Sequence, residues 1–188
     1  MVLDHRFTEA LTFAAQLHAT QKRKGANIPY IAHLLAVASI ALENGANEDE
    51  VIAALLHDAI EDQGGAATRE EIRRRFGDTV TEIVDGCTDS ETTPKPPWRQ
   101  RKEAYIAHLA TASPSVLLVS SADKLHNARS ILNDYRVVGE LVWERFQGRK
   151  AGTLWYYRAL IEAFHKVTST PLIDELERVV SELEQISK

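Results

Sequence analysis

Apolar residues recur at helical spacing in nearly every segment of this chain, and glycine and proline residues separate the segments. In the first segment, Phe7, Leu11, Ala14 and His18 follow one another at intervals of four, three and four, which marks one face of a helix. The apolar run 116–119 is short enough to form a strand by itself, and we favour a helix there. The pattern therefore predicts an all-α fold.

Capping residues and breaks mark where the predicted helices begin and end. Asn47 and Glu50 stand in the positions of a capping box ahead of a strongly apolar helix, and Thr68 and Glu71 suggest a second box before "EEIRRRF". The stretch "TDSETTPKPPW", residues 88–98, is the longest candidate loop. Because the chain shows no internal repeat and no low-complexity tract, we expect one compact domain over residues 1–188.

Size, charge and cysteine content limit the classes of protein to consider. A chain of 188 residues suits one domain, and its net charge of −5 argues against an electrostatic partnership with nucleic acid. The single cysteine, Cys87, cannot form an intrachain disulfide and favours a reducing compartment. No stretch approaches the roughly 18 apolar residues of a membrane span, and the N-terminus lacks the features of a secretory signal. We therefore expect a cytoplasmic protein without a membrane partner.

The motif "LLHDAIED", residues 55–62, places one histidine and three carboxylates directly after a run of apolar residues. His57 and Glu61 are four residues apart, as are Asp58 and Asp62, so a continuous helix would carry them in two neighbouring rows. Burying these groups without partners would cost several kcal/mol each, and a divalent cation would compensate them. The alternative is a solvated helix end, because two glycines follow closely.

Two other polar residues occur where the pattern predicts burial. His33 shares a helix face with apolar residues, although a lone inward histidine is more often a satisfied core residue. Asp123 follows the apolar stretch "VLLVSSA", and Asn127 comes one turn later on the same face. One metal site formed by His33, His57, Asp58 and Asp123 would account for all of these buried groups together.

Three separated motifs resemble a known family. A histidine, then "HD", then an aspartate is similar to the pattern of the HD metal-dependent phosphohydrolase superfamily. More narrowly, "HATQKRKGANIPYIAHLLAVA", "AALLHDAIED" and "SADKLHNARSI" resemble the RelA/SpoT-type small alarmone hydrolases of the stringent response. The resemblance covers most of the first 135 residues. It implies a helical HD-domain fold that stands alone, because the chain is too short to add the synthetase domain of the long relatives.

The resemblance also implies a reaction and a role for each matching residue. The reaction is metal-dependent hydrolysis of the 3′-diphosphate of (p)ppGpp, which yields GDP or GTP and pyrophosphate. The cofactor implied is Mn²⁺ or a similar divalent cation, which suits a site of nitrogen and oxygen ligands. The implied metal ligands are His33, His57, Asp58 and Asp123; Glu61 and Asp62 handle the attacking water, Arg23 and Lys24 face substrate phosphates, and Asn127 helps to hold the nucleoside.

Several alternatives stay open at the level of the sequence. The same site could serve (p)ppApp, NADPH or another nucleotide, and an inactive nucleotide sensor or a two-iron oxygenase are further readings. We expect residues 138–187 to complete the core and the pocket, while a homodimer stays open. Six residues have no settled role: Lys150, Thr153, Tyr156, Arg99, Arg101 and Lys102. We interpret five histidines as structural or exposed: His5, His18, His108, His126 and His165.

Overall fold

The computed structural model describes residues 2–90 and 94–188. Over these residues the chain is helical, and its only extended pairing is an isolated bridge between Lys22 and Pro29. The predicted all-α fold is therefore confirmed. The centre of the predicted loop 88–98 lies outside the described residues. Every helix in the described part of the chain is too short or too polar to cross a lipid bilayer.

The helices belong to two compact units, Met1–Lys95 with Ser113–Asp123, and Pro96–Ala112 with Lys124–Lys188. The expectation of one domain over the whole chain stays a prediction. The first unit contains α1 (His5–Leu17), α2 (Ile31–Glu43), α3 (Glu48–Leu56), α4 (Ala59–Asp62), α5 (Ala66–Phe76) and α6 (Asp78–Cys87). The second contains α7 (Trp98–Leu109), a 3₁₀ helix (Gly139–Arg145), α9 (Arg149–Val167) and α10 (Pro171–Ile186), and α8 (Pro114–Val138) runs from the first unit into the second.

Helix α3 is the centre of the first unit. Its last six residues, 51–56, are all buried, and it packs against α1, α2 and α6. A helix that is apolar on every side lies in a protein core, so the buried position predicted for this helix is confirmed. Its first turn is closed by the predicted capping box, in which Asn47 accepts from the Glu50 backbone and Glu50 accepts from the Asn47 backbone.

The prediction that this helix continues through "LLHDAIED" is wrong. Helix α3 ends at Leu56, His57 and Asp58 form a turn, and α4 begins at Ala59. The His57 imidazole Nδ1 lies 2.8 Å from the Ala54 carbonyl oxygen, which is the acceptor that the Asp58 amide would use in a continued helix. Side-chain bonding by the histidine therefore competes with the backbone at the point where the helix stops.

The second predicted capping box is also wrong. Helix α5 begins at Ala66, two residues before Thr68, and its N-cap is Gly65. The Thr68 hydroxyl instead donates to the carbonyl of Gln63, at 2.6 Å. Glu71 accepts from Arg74 and Arg75 one turn further along, so neither side chain serves the helix start.

A close approach of α6 to α8 fixes the position of Asp123. A Cβ added at Gly86 would lie 2.5 Å from Cγ2 and 2.9 Å from Cγ1 of Val116, so only glycine allows this approach. Val116 is buried and precedes Asp123 by seven residues, which places both on one face of α8. The glycine on α6 therefore sets how closely the helix that carries Asp123 can pack.

Replacing Gly86 with alanine is expected to lower the free energy of unfolding by about 1–3 kcal/mol, because the branched Val116 side chain cannot rotate away. An unconstrained helix would instead gain about 1 kcal/mol from this change. Chemical denaturation of Gly86→Ala with and without Val116→Ala checks the cause, since the smaller neighbour should remove the loss. The same loss in both backgrounds would refute the steric explanation.

In the second unit, Trp98 packs on a face of α9 that glycine keeps open. A Cβ at Gly148 would lie 2.6 Å from the Trp98 ring, and one at Gly152 would lie 3.2 Å from it. The ring also meets Trp155 and Tyr156 edge to face. This aromatic cluster is part of the packing of the second unit.

Six of the residues that the sequence left without a settled role lie in the second unit, as the aromatic cluster does. Thr153 and Tyr156 are buried, Lys150 pairs with Glu140 at 2.9 Å, and the cations of Arg99 and Lys102 lie over aromatic rings. Arg101 donates to the carbonyl of Pro96. These contacts lie within the second unit and assign none of these residues to the substrate.

Candidate metal centre

The first unit brings four polar side chains together from separate parts of the sequence. His33 lies in the first turn of α2, His57 and Asp58 form the turn after α3, and Asp123 lies on α8. Exposure is 1% for His33, 2% for His57 and 6% for Asp123, while Asp58 is half-buried. The sequence prediction that these four side chains share one location agrees with this geometry.

The two carboxylates each face both imidazole rings. Asp58 Oδ2 lies 3.0 Å from His57 Nε2 and 3.5 Å from His33 Nε2. Asp123 Oδ1 lies 3.2 Å from His33 Nε2 and 3.6 Å from His57 Nε2. The four atoms therefore converge on a single small volume.

The hydrogen bond of His57 indicates what can bind in the space between its Nε2 atom and the two carboxylates. Its Nδ1 faces the Ala54 carbonyl and must carry a proton there, so the neutral ring presents the lone pair of Nε2 to the two carboxylates. Lone pairs that face one another in a buried place require a proton or a cation between them. A divalent cation fits this requirement, and the donor set of two nitrogens and two oxygens, without a thiolate, suits Mn²⁺ and similar ions.

The pKa values reflect the same concentration of negative charge. Burial lowers the pKa of His57, but the charge of Asp58 and hydrogen bonds with Asp123 and Asp58 outweigh burial and hold this pKa well above its usual value. Burial raises the pKa of Asp58, but the His57 charge and hydrogen bonds from His33 and His57 outweigh burial and hold it well below. The carboxylates therefore stabilise positive charge at the His57 ring.

His33, His57 and Asp58 form a possible metal site by their geometry alone. Each offers one ligand atom, and these atoms lie within 4.8 Å of one another. Asp123 adds a carboxylate oxygen at 3.2 Å from the His33 nitrogen. Asp123 lies outside this group of three but faces both of its imidazole nitrogens, which makes it the candidate for a fourth ligand.

Tyr30 is a neighbour of the site that the sequence did not predict. Its hydroxyl donates to Asp58 Oδ2 at 2.6 Å, and its ring meets the His33 ring edge to face. Burial, together with the charge of Asp58, raises the pKa of Tyr30, so the phenol remains a donor. Tyr30 comes directly before α2, where no periodic pattern marks it. The Asp58 carboxylate is oriented by this bond.

Glu61 and Asp62 lie on α4, immediately after the turn, and each has a different partner. Glu61 accepts from Lys95 Nζ at 2.6 Å and from the backbone amide of Asp89 at 3.2 Å. Asp62 accepts from the neutral amide of Gln21 at 2.8 Å. Partial desolvation and the charge of Asp58 raise the pKa of Asp62, and the Gln21 bond lowers it in part. One carboxylate therefore faces a cation and the other a neutral donor.

The predicted substrate residues have different positions. Arg23 and Lys24 lie in the first unit between α1 and α2, and the Arg23 guanidinium lies 5.8 Å from the centre of the Tyr30 ring. Lys24 is exposed. Asn127 follows Asp123 on α8 but belongs to the second unit, so its part in this site stays a prediction.

The helical fold and the paired histidine and aspartate of the turn define a class of protein. The HD-domain family model matches residues 10–151, and the chain belongs to this family. A solved structure described as a metazoan ortholog of SpoT that hydrolyses ppGpp has the same fold, with a TM-score of 0.80, 24% identity and coverage of 97% of this chain and 98% of that one. The HD-domain fold implied by the three sequence motifs is therefore confirmed.

Within the family, the chain is similar to the guanosine-3′,5′-bis(diphosphate) 3′-pyrophosphohydrolases named MESH1. The protein from Xenopus tropicalis is 42% identical over 126 residues, which cover 65% of this chain and 68% of the relative. The Homo sapiens protein is 39% identical over 126 residues, with the same shares of the two chains. The resemblance to alarmone hydrolases seen in the sequence is confirmed at this level.

Proposed function

We propose that this chain hydrolyses the 3′-diphosphate of the guanosine alarmones (p)ppGpp, in a reaction that depends on Mn²⁺ or a similar divalent cation. The observation that carries the proposal is the cluster of two imidazoles and two carboxylates, in which His57 and Asp58 come shortly before the Glu61–Asp62 pair along the chain. Relatives at about 40% identity that bear the name of this activity support the guanosine substrate. Water adds across the bond between the 3′ oxygen and phosphorus, which releases pyrophosphate and GDP or GTP.

In this proposal His33, His57, Asp58 and Asp123 hold the metal ion. When bound, a divalent ion supplies Lewis acidity, which lowers the pKa of its water and offsets charge on the phosphoryl oxygens. The chain orients its own ligands: the Ala54 carbonyl fixes the His57 ring and the Tyr30 hydroxyl fixes Asp58.

Glu61 and Asp62 are the proposed acceptors for the proton of the attacking water. Lys95 and the amide of Asp89 hold Glu61 as an oriented acceptor, and Asp62 lies one turn after Asp58 with a raised pKa. A group with a raised pKa can receive a proton and return it to the leaving 3′ oxygen. The pair can therefore divide the two proton transfers that hydrolysis requires.

Arg23, Lys24 and Asn127 are the proposed contacts to the nucleotide. The positive charges of Arg23 and Lys24 attract the polyanionic nucleotide to a protein whose net charge is −5. The Arg23 guanidinium lies above Tyr30, which itself bonds to Asp58. Residues 138–187 complete the domain in this proposal. We also propose a cytoplasmic location and a role in the stringent response, which the single cysteine and the proposed substrate support, and leave a homodimer open.

A panel of ppGpp, ppApp and NADPH, each incubated with Mn²⁺ and purified protein, tests the proposal. We expect pyrophosphate and GDP from ppGpp, and removal of the metal by a chelator should lower the rate by at least about 100-fold. Readdition of Mn²⁺ to the chelated protein serves as the control for damage. Faster turnover of ppApp or NADPH would instead assign one of the other nucleotides, and no turnover of any would favour a sensor.

A further inference from the structure

A short chain of hydrogen bonds leads from the core of the first unit to Asp62. His18 Nδ1 lies 2.6 Å from Gln21 Oε1, and Gln21 Nε2 donates to Asp62 Oδ2 at 2.8 Å. Gln63 Nε2 also donates to Gln21 Oε1, at 2.5 Å. The Gln21 amide therefore has a partner for its oxygen and for its nitrogen.

These partners allow only one orientation of the Gln21 amide. A flip would turn its oxygen toward the Asp62 carboxylate, so that two acceptors would face each other, and would turn its NH₂ group toward the Gln63 donor. The same orientation makes His18 Nδ1 the donor to Gln21 Oε1. The Gln21 amide that donates to Asp62 is therefore held in one orientation by His18 and Gln63.

His18 occupies this place at a cost that packing alone does not explain. It is 2% exposed, and its Nε2 has no hydrogen-bond partner among the residues that the structure describes. An unsatisfied buried polar atom lowers the stability of the fold, and an apolar side chain of similar size would avoid this loss. The His18 ring also stacks on Tyr30 at 5.2 Å, and Tyr30 bonds to Asp58. The histidine therefore supports Asp62 through Gln21 and Asp58 through Tyr30.

We propose that Gln21 is a positioning residue for the hydrolysis, which holds the Asp62 carboxylate in its working orientation, and that His18 keeps Gln21 in place. This inference rests on the proposed function, in which Asp62 handles the attacking water. The Gln21 amide bonds to His18, Asp62 and Gln63, none of which is a proposed metal ligand, so Gln21 acts on the reaction through Asp62. Gln21 therefore affects the rate of the chemical step and leaves the binding of metal and substrate almost unchanged.

A double-mutant cycle tests this dependence. Gln21→Leu is expected to lower kcat about 10-fold, with KM and Mn²⁺ affinity within about two-fold of the wild type. Because Gln21 acts through Asp62, the Gln21→Leu/Asp62→Asn protein should be as active as Asp62→Asn alone, within about two-fold. Lys22→Ala is the matched control, since the adjacent exposed lysine bonds to Asn27 and should leave every constant unchanged.

Two kinetic results would overturn the inference. One is an unchanged kcat in Gln21→Leu, and the other is a double variant that loses a further factor of about 10 relative to Asp62→Asn, as independent structural effects would. A wild type that does not hydrolyse ppGpp would instead refute the proposed function, so the two failures are distinguishable.

The contact can also be measured without substrate. In ¹H–¹⁵N spectra, the side-chain amide of Gln21 is identified by its loss in Gln21→Leu, and a carboxylate partner should shift one proton downfield. Asp62→Asn and His18→Phe should both move this signal, whereas Lys22→Ala should not. A signal at the position of a free glutamine, unmoved by Asp62→Asn, would overturn the inference even for an inactive protein.

Discussion

Replacing Asp58 with alanine is expected to abolish Mn²⁺ binding and to lower kcat/KM for ppGpp by at least about 1,000-fold. The change removes the oxygen that lies nearest to His57 Nε2 and leaves the Tyr30 hydroxyl without its acceptor. Metal content after gel filtration, with Mn²⁺ titration and turnover on the same preparation, checks both effects. Asp58→Asn retains an acceptor for Tyr30, so loss of metal from this variant separates ligand loss from local misfolding.

Asp85→Ala is the matched control for this experiment. Asp85 lies on α6 in the same unit, and its carboxylate pairs with Arg69 at 2.7 Å near the surface. Its removal should cost at most about 1 kcal/mol of stability and leave metal content and turnover unchanged. Full metal content and turnover in Asp58→Ala would show that the proposed centre is wrong.

Changing Glu61 to glutamine should retain the metal and lower kcat by about 100- to 1,000-fold. The amide has the same shape but cannot accept a proton from the attacking water. It also ends the ion pair with Lys95, although the amide of Asp89 can still donate to the new oxygen. Metal analysis and steady-state kinetics together check this result, because binding and chemistry should separate.

Glu71→Gln is the control of matched chemistry for Glu61. Its carboxylate pairs with Arg74 and Arg75 on α5, so the same substitution removes a comparable ion pair from another surface of the unit. We expect wild-type kcat and metal content there. If Glu61→Gln loses the metal together with the rate, Glu61 acts on the ion, and its proposed role with water is wrong.

The fold could be predicted where the chain carries strong local signals. The Asn47–Glu50 capping box and the apolar run 51–56 correctly indicate a capped, buried helix. The run 116–119 is helical, as we favoured, because it belongs to the long helix α8. The break at His57 was missed, since the bond of its side chain to the Ala54 carbonyl has no counterpart in a pattern of apolar and polar residues.

The site was predictable to a more limited extent. Buried histidines and aspartates need a common partner, which indicates a shared site for His33, His57, Asp58 and Asp123, and the structure brings these four together. Tyr30, Gln21 and Lys95 were missed, because they lie in connecting segments where neither period nor spacing distinguishes them. The sequence predicts a structural or exposed role for His18. The structure buries this residue, and no pattern in the sequence indicates its bond to Gln21.

The four residues of the proposed metal site come from distant parts of the chain, which limits how the unfolded chain can bind an ion. His33, the turn at His57–Asp58 and Asp123 come from three distant stretches, so an unfolded chain cannot present them together without closing two long loops. An ion held by all of them acts as a reversible cross-link that exists in the native chain alone. The heat resistance of this protein would then follow the free metal concentration of its surroundings, and starvation for the ion would shorten its lifetime.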